Sequence, residues 1–253
     1  MKQNASISFS RRAVLFKSLK YSFPVLLGYV SIGIAFGLML TGTGYPWYLA
    51  LAMSLWMYAG AGQFIAVGLF AAGTTLWEAC LIQLVVNARH IAYGFSMLSR
   101  FRDQGPYKPY QIFSLTDETF ALLSSIPEKG APAGSMAELP QDENGRRLFM
   151  FYVALLDQCY WVAGTMAGAV AGTLIPFDMK GIGFALTSLF MVLMIEQMQK
   201  VKKPQVFIVS GIAALLGVCL LPSGISLLAA LSLALIMSSI VARLENLRHK
   251  EKE

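Results

Sequence analysis

Charged residues are scarce in this chain of 253 residues, and they are missing altogether from two long stretches. Only 13% of the residues are Asp, Glu, Lys or Arg, about half of the share found in a typical soluble domain. No Asp, Glu, Lys, Arg or His occurs from Tyr21 to Trp77, or from Gln205 to Ala242. A water-soluble helix needs polar residues on at least one face. The two stretches therefore exclude an ordinary soluble fold and predict helices that lie in lipid.

Residue types and motifs that many enzymes and metalloproteins require are also rare. The two histidines, His90 and His249, are too few for a His-rich metal site or a haem bundle. All three cysteines lie in apolar runs, which disfavours disulfides and thiolate metal sites. The sequence has no GxxxxGK[ST], HExxH or GxSxG motif. We therefore expect no enzyme activity, no cofactor and no metal.

The net charge of +6 does not indicate a partner nucleic acid, because the basic residues flank the apolar runs. They form four groups, at the N-terminus, at 100–108, at 200–203 and at the C-terminus. Basic residues beside membrane helices face the cytoplasm. Seven complete crossings cannot place all four groups on that side. Six crossings can, if the segment at 47–71 enters the membrane and returns to the same side.

The apolar runs are separated by Gly- and Pro-containing turns, which predict helix ends. One crossing needs about 20 mostly apolar residues, so the predicted fold class is all-α, a polytopic transmembrane bundle of six to eight membrane segments. We predict one transmembrane domain over 1–253, with a short helix between Phe113 and Ile126 and a polar loop at about 127–147. The predicted spans are 22–41, 47–71, 76–97, 148–175, 181–199, 204–221 and 224–242.

The second predicted span contains the motif YAGAGQF at residues 58–64. Each glycine weakens a helix by about 1 kcal/mol, which favours a broken or re-entrant helix at this point. Irregular backbone at membrane depth is tolerated only where it lines a cavity or is buried in protein. Gln63, within the motif, is therefore a candidate site residue. A continuous helix that uses its small residues for close packing is the alternative.

The third predicted span carries the densest set of polar residues. Gln83, Asn87 and His90 follow helical steps and form one stripe with Gly94, which should face the bundle interior. His90 can titrate near neutral pH. Arg89 lies off this stripe and either clamps a substrate carboxylate through a forked pair of hydrogen bonds or extends to the cytoplasmic interface. The four polar side chains are candidates for substrate binding or proton coupling.

The fourth predicted span contains Asp157 and Gln158, two further candidates. An ionisable group at mid-helix costs at least ~2.5 kcal/mol and usually marks a partner or a pathway. Asp157 could pair with Arg89 or carry a coupling proton, and a structural salt bridge is the alternative. Glycines recur every fourth residue in the same span, a pattern that predicts close packing between helices. These glycines are Gly164, Gly168 and Gly172.

Two neighbouring carboxylates, Asp117 and Glu118, follow Thr116 at the start of the short helix. Thr116 suits the N-cap position, and acidic residues stabilise the first turn of a helix. Capping alone would need only surface residues. The alternative is that the two carboxylates lie beside a transport pathway, which makes both of them site candidates.

Five stretches together resemble the AzlC family, the YgaZ- and BrnF-like large subunits of two-component branched-chain amino acid exporters. The resemblance extends from about residue 15 to 242. The spacing of NARH and TDETF is its most specific part, whereas the spaced glycines are not specific. The stretches are PVLLGYVSIGIAFG (24–37), YAGAGQF (58–64), VVNARHIAYG (85–94), TDETFAL (116–122) and DQCYW (157–161).

This resemblance implies a multi-pass permease of the bacterial inner membrane that works with a small AzlD-like membrane subunit. It implies export of valine, leucine or isoleucine, with methionine as a further candidate substrate, driven by the proton motive force. A non-transporting membrane scaffold or sensor subunit is the alternative function. The family motifs map onto Asn87, Arg89, His90, Asp117 and Glu118. Their role in substrate binding is inferred from the cost of polar groups in a membrane.

Overall fold

A computed structural model describes residues 10–127, 140, 142–174 and 204–220, with scattered single positions between 191 and 240. All regular secondary structure in the described residues is helical, which confirms the predicted fold class for this part of the chain. A 3₁₀ turn at Gly105–Tyr107 precedes the fifth helix. The helices are α1 (Arg11–Gly42), α2 (Trp47–Met57), α3 (Gly60–Ala71), α4 (Leu76–Met97), α5 (Lys108–Phe113), α6 (Asp117–Ser125), α7 (Glu143–Leu174) and α8 (Pro204–Leu220).

Two helices begin earlier than predicted, because polar residues extend them beyond the apolar core. The start of α7 overlaps the polar loop predicted at 127–147, and that prediction is wrong for the last five residues of the loop. Asp142 accepts a hydrogen bond from the Gly145 amide at 2.8 Å, and Arg147 pairs with Glu143 one turn earlier. These local contacts stabilise a polar first turn. Similarly, α1 begins at Arg11 and not near residue 22.

Two of the described helices, α1 and α7, are long and apolar enough to cross a membrane. Three others, α2, α3 and α8, are apolar but shorter. The spans predicted at 181–199 and 224–242 lie outside the described residues. The prediction of six to eight membrane segments therefore stays a prediction.

The chain divides into two compact units. The first consists of Met1–Ala71 and Asn87–Met179, and the second consists of Ala72–Val86 and Lys180–Glu253. Helix α4 therefore begins in the second unit and ends in the first. The buried polar residues described below belong to the first unit.

Within the first unit, α1 and α7 pack through facing glycines, a contact that we call the glycine seam. A Cβ added to Gly164 would lie 2.6 Å from the Val30 carbonyl oxygen, and one added to Gly33 would lie 2.9 Å from the α7 backbone. A Cβ on Gly168 would come still closer to the carbonyl oxygen of Ile34. Because real Cβ atoms do not approach backbone this closely, the seam requires residues without side chains.

A buried apolar cluster joins the start of α1 and the start of α7 to α6 and the end of α4. Ser18 Oγ donates a hydrogen bond across it to the Phe149 carbonyl oxygen at 3.3 Å. Along both α1 and α7, the cluster lies before the glycine seam, with Tyr29 of α1 and Asp157 of α7 between the two. The cluster consists of Val14, Met97, Phe101, Leu115, Leu123, Ile126, Phe149, Met150 and Val153.

We predict that Gly168→Ala destabilises the first unit by about 1–3 kcal/mol, because the new methyl group overpacks the seam. Gly28→Ala in α1 is the matched control, since no atom of the described residues lies within 4 Å of the added Cβ. Thermal unfolding of the purified protein in detergent measures both. Equal unfolding temperatures for the two variants would show that the seam is not tightly packed.

Candidate functional site

Four consecutive residues, Thr116 to Thr119, connect the start of α6 to three other helices. Thr116 is the N-cap, as its position predicts, and its hydroxyl accepts a hydrogen bond from the Thr119 amide at 3.2 Å. The two acidic residues that follow lie in the first turn, where the helix dipole favours negative charge. Capping explains the backbone geometry of this segment, and the side chains make further contacts.

Two of these side chains contact α1 and α7. Tyr29 of α1 donates a hydrogen bond to Glu118 Oε2 at 2.8 Å, and its hydroxyl also contacts the Thr116 hydroxyl. Thr119 Oγ1 donates to Asp157 Oδ2 of α7 at 2.8 Å. Thr119 and Asp157 are both fully buried. The described partner of the Asp157 carboxylate is therefore a hydroxyl and not a cation.

The Asp117 side chain, in contrast to those of Glu118 and Thr119, contacts α4. Arg89 forms an ion pair with Asp117 at 2.8 Å, and the Tyr93 hydroxyl donates to the same carboxylate at 2.7 Å. His90 contacts the Tyr93 ring edge-on, with 5.8 Å between the ring centroids. A pair between Arg89 and Asp157 was one of the alternatives left open by the sequence. The described ion-pair partner of Arg89 is instead Asp117, and both side chains are about 40% exposed.

The second predicted span is broken, as one of the two sequence-based alternatives predicts. Helix α2 ends in a π-helical turn, and Tyr58 follows with a φ angle of 39°, in the left-handed region. Such a conformation in a residue other than glycine costs on the order of 1–3 kcal/mol. Helix α3 then begins at Gly60. Whether this segment re-enters the membrane from one side stays a prediction.

Buried polar side chains satisfy the backbone and one another at this break. Gln158 Nε2 donates to the carbonyl oxygens of Ser54 and Leu55, at 3.4 and 3.1 Å, near the end of α2 where carbonyls lose their helical partners. Ser54 Oγ donates to Thr165 Oγ1 at 3.0 Å and accepts from Gln63 Nε2 at 3.2 Å. The break is therefore hydrogen-bonded to α7 at two positions, Gln158 and Thr165.

Tyr110 of α5 completes the contacts of Gln158. Its hydroxyl donates to Gln158 Oε1 at 2.6 Å. Burial raises the pKa of the Tyr110 phenol, so the hydroxyl keeps its proton and acts as the donor. Helix α5 therefore fixes the orientation of the amide that supports the break.

Four fully or almost fully buried side chains at the break keep one polar atom without a hydrogen-bond partner in the described part of the chain. They are Tyr58 with its hydroxyl, Gln63 with Oε1, Asp157 with Oδ1 and Trp161 with Nε1. Trp161 is only 3% exposed, and its ring lies 3.4 Å from the position of a Cβ on Gly60. The ring also stacks on Phe36, with 6.3 Å between centroids. Unpaired buried polar atoms are rare and often mark a place for water or a ligand.

The structure thus brings most of the predicted site residues into two groups. The buried group is the set Tyr29, Gln63, Thr119, Asp157, Gln158 and Trp161. The half-buried group consists of Arg89, His90, Tyr93 and Asp117, and Glu118 lies between the groups through its contact with Tyr29. Gln83 and Asn87 are half-buried on α4, with Gln83 in the second unit. Gly172 faces the Thr41 side chain at the end of the glycine seam.

Sequence reasoning missed the hydroxyl groups that connect these residues. Tyr29, Ser54 and Thr165 lie in apolar runs, where a single hydroxyl does not stand out, and Thr119 follows two carboxylates that draw attention first. The second threonine of the TDET motif was a usable signal, because capping requires only the first.

We predict that Thr119→Val destabilises the protein by about 1–3 kcal/mol, because it leaves the Asp157 carboxyl without its described donor at nearly constant side-chain volume. Thr173→Val is the control, since Thr173 is exposed on α7 and its hydroxyl bonds to Val170 of the same helix and to no other described residue. Unfolding temperatures in detergent compare the two. A Thr119→Val protein as stable as the control would contradict the importance of this hydrogen bond.

Comparisons with known proteins identify the family to which this arrangement belongs. A protein of Helicobacter pylori described as an uncharacterized membrane protein is 39% identical over 73% of this chain and 77% of its own length. The branched-chain amino acid transport protein AzlC of Bacillus subtilis is 34% identical over 72% of this chain and 67% of its own. The inner membrane protein YgaZ of Escherichia coli is 31% identical over 86% of both.

The relatives indicate a membrane protein of a transport family and not an enzyme. No solved structure matches the chain. The family model described as AzlC protein matches residues 24–175, which include α1 to α7 except for the first residues of α1. This chain therefore belongs to the AzlC family.

Proposed function

We propose that this chain is the permease subunit of a bacterial inner-membrane exporter of branched-chain amino acids, driven by the proton motive force. The observation that carries the proposal is the fully buried Asp157 carboxyl beside a broken helix, in a segment otherwise free of charge. The name of the Bacillus subtilis relative supports the substrate class. Valine, leucine and isoleucine are the proposed substrates, with methionine as a further candidate.

The surroundings of the break suit an aliphatic amino acid. Phe36 and Phe64 meet edge-on, with 5.6 Å between their ring centroids, and Phe36 also stacks on Trp161. All three side chains are buried. Apolar walls with a few oriented polar groups are the usual composition of a small-molecule site.

The buried Asp157 carboxyl is the proposed carrier of the coupling proton. A side chain that gains and loses a proton within the membrane can couple the proton gradient to solute movement. Thr119 of α6 covers this carboxyl, so access from one side requires α6 to move. The Arg89–Asp117 pair and His90 lie at the opposite side of the α6 start and are proposed to position α6 and relay protons.

We further propose that the permease works with a small AzlD-like membrane subunit, as the family resemblance implies. The chain exposes large apolar side chains along α4, among them Trp77, Leu84 and Phe95. These side chains suit either lipid or another membrane helix.

Leucine uptake by everted vesicles tests the function, because export from the cell becomes uptake in this orientation. With the chain and its small partner subunit, we expect accumulation that collapses when the proton gradient is dissipated. Asp157→Asn should lose the gradient-driven part, whereas Asp103→Asn, at an exposed position, should keep it. Accumulation that ignores the gradient would refute proton coupling, and no leucine flux in any vesicle would favour a non-transporting scaffold or sensor.

The partner requires a separate experiment. We expect leucine efflux from cells that express both subunits and little efflux from cells that express either one alone. The control is the same pair of plasmids with the empty vector in one position. Full efflux from the chain alone would show that the permease does not need the small subunit.

A further inference from the structure

We propose that Glu118 is the entry point for the coupling proton and passes it to Asp157 through three hydroxyl groups. The inference rests on the proposed function and adds to it the route by which the proton reaches its buried carrier. We call this chain of contacts the hydroxyl relay. Its members, in order, are Glu118, Tyr29, Thr116, Thr119 and Asp157.

Every contact along the hydroxyl relay joins two oxygen atoms at hydrogen-bond distance. The Tyr29 hydroxyl lies 2.8 Å from Glu118 Oε2 and also contacts Thr116 Oγ1. Thr116 Oγ1 lies 3.1 Å from Thr119 Oγ1, and Thr119 Oγ1 lies 2.8 Å from Asp157 Oδ2. Residues of α1, α6 and α7 therefore join two carboxyl groups without an interruption.

The hydroxyl relay leads from a partly exposed acid to a fully buried one. Glu118 is half-buried, whereas Asp157 has no exposed surface. The three residues that carry the hydroxyl groups between them are each at most 6% exposed. Hydroxyl groups both donate and accept, and their protons rotate to suit the partner. Such a chain can carry a proton to a place that bulk water does not reach.

The hydroxyl relay has four contacts between oxygen atoms and three hydroxyl protons to fill them. Each hydrogen bond holds one proton between its two oxygen atoms, and each of the three hydroxyl groups supplies one. When both carboxyl groups are ionised, one contact therefore has no proton. A single added proton, on Glu118 or on Asp157, completes all four hydrogen bonds. We infer that the two carboxyl groups share this one proton, which makes them a coupled pair.

Transfer along the hydroxyl relay moves one proton across each contact. Glu118 gives its proton to the Tyr29 hydroxyl, and Tyr29 gives its own proton to Thr116. At the same time, Thr116 passes its proton to Thr119, and Thr119 passes its own to Asp157 Oδ2. Each hydroxyl group ends with one proton and no net charge, while Glu118 becomes a carboxylate and Asp157 a neutral acid. The hydroxyl groups then rotate back before the next proton enters.

The two ends of the hydroxyl relay face several phenols, which stay neutral at the pH where carboxyl groups exchange protons. Asp117, next to Glu118, is charge-paired with Arg89. The buried Tyr58 hydroxyl faces both Asp157 and Thr119 from the break and is the alternative point of entry for a proton. In the described part of the chain, the phenols are Tyr58, Tyr110 and Tyr160 around Asp157, and Tyr29, Tyr58 and Tyr93 around Glu118.

Leucine transport by proteoliposomes that contain the purified two-subunit complex tests the hydroxyl relay. Exchange of labelled for unlabelled leucine at equal pH needs no net proton movement, whereas accumulation driven by a proton gradient does. Tyr29→Phe keeps the ring and both carboxyl groups but interrupts the relay. We therefore expect accumulation to become about tenfold slower or more, with exchange at the wild-type rate.

Matched variants separate the relay from a general loss of hydroxyl groups. Thr119→Val should act like Tyr29→Phe, and Thr119→Ser, which keeps the hydroxyl group, should retain accumulation. Tyr160→Phe is the control and should keep both activities. It removes a tyrosine hydroxyl that also lies between α7 and α1, where it contacts Ser22 Oγ at 3.0 Å.

Three transport results would overturn the hydroxyl relay. The first is accumulation at the wild-type rate in Tyr29→Phe. The second is an equal loss of accumulation and exchange in Tyr29→Phe, which would indicate a structural role for the hydroxyl. The third is a loss of accumulation in Tyr58→Phe but not in Tyr29→Phe, which would place the proton route at the break.

Infrared spectra of the purified complex test the shared proton without any transport. We expect a protonated carboxyl band that changes in Tyr29→Phe and in Glu118→Gln but not in Tyr160→Phe. A band that stays the same in Tyr29→Phe and Glu118→Gln would refute this inference alone. A wild-type complex that neither accumulates nor exchanges leucine would refute the proposed function.

Discussion

The burial of the Asp157 carboxyl within an apolar helix bundle is the constraint on which the rest of the first unit depends. A carboxyl group at this depth requires hydrogen-bond donors and a reason to be there. Thr119 supplies one donor, and α6 is placed by its N-terminal residues so that Thr119 reaches α7. The same four-residue segment binds α1 through Tyr29 and α4 through Arg89, so one short helix connects three long ones at the level of the carboxyl.

The polar residues around Asp157 are held in place by two apolar contacts, one on each side of them along α7. The buried cluster around Phe149 and Leu123 holds the first turns of α7 against α6, and the glycine seam brings α1 and α7 close together beyond Trp161. Between them, the break at Tyr58 leaves backbone groups that Gln158 satisfies. The strained backbone and the buried amides are thus stabilised by rigid surroundings, which is typical of functional sites.

Much of this arrangement could be predicted from the sequence, because it follows from local rules. The bounds of α4, the N-cap at Thr116 and the break after residue 57 all depend on residues close together in the chain. The partner of Arg89 could not be predicted, since both carboxylates were available and only the packing of α6 against α4 selects Asp117. The hydroxyl contacts were missed for the same reason, because the hydrogen-bond partners of Tyr29 and Thr119 lie on helices distant in sequence.

The central proposal is that the Asp157 carboxyl carries the coupling proton and releases it when the substrate binds, and infrared difference spectroscopy of the complex with and without leucine tests it most directly. The account predicts a protonated carboxyl band that leucine removes and that is absent from Asp157→Asn. A difference spectrum without any carboxyl band, or a band that persists unchanged in Asp157→Asn, would contradict it.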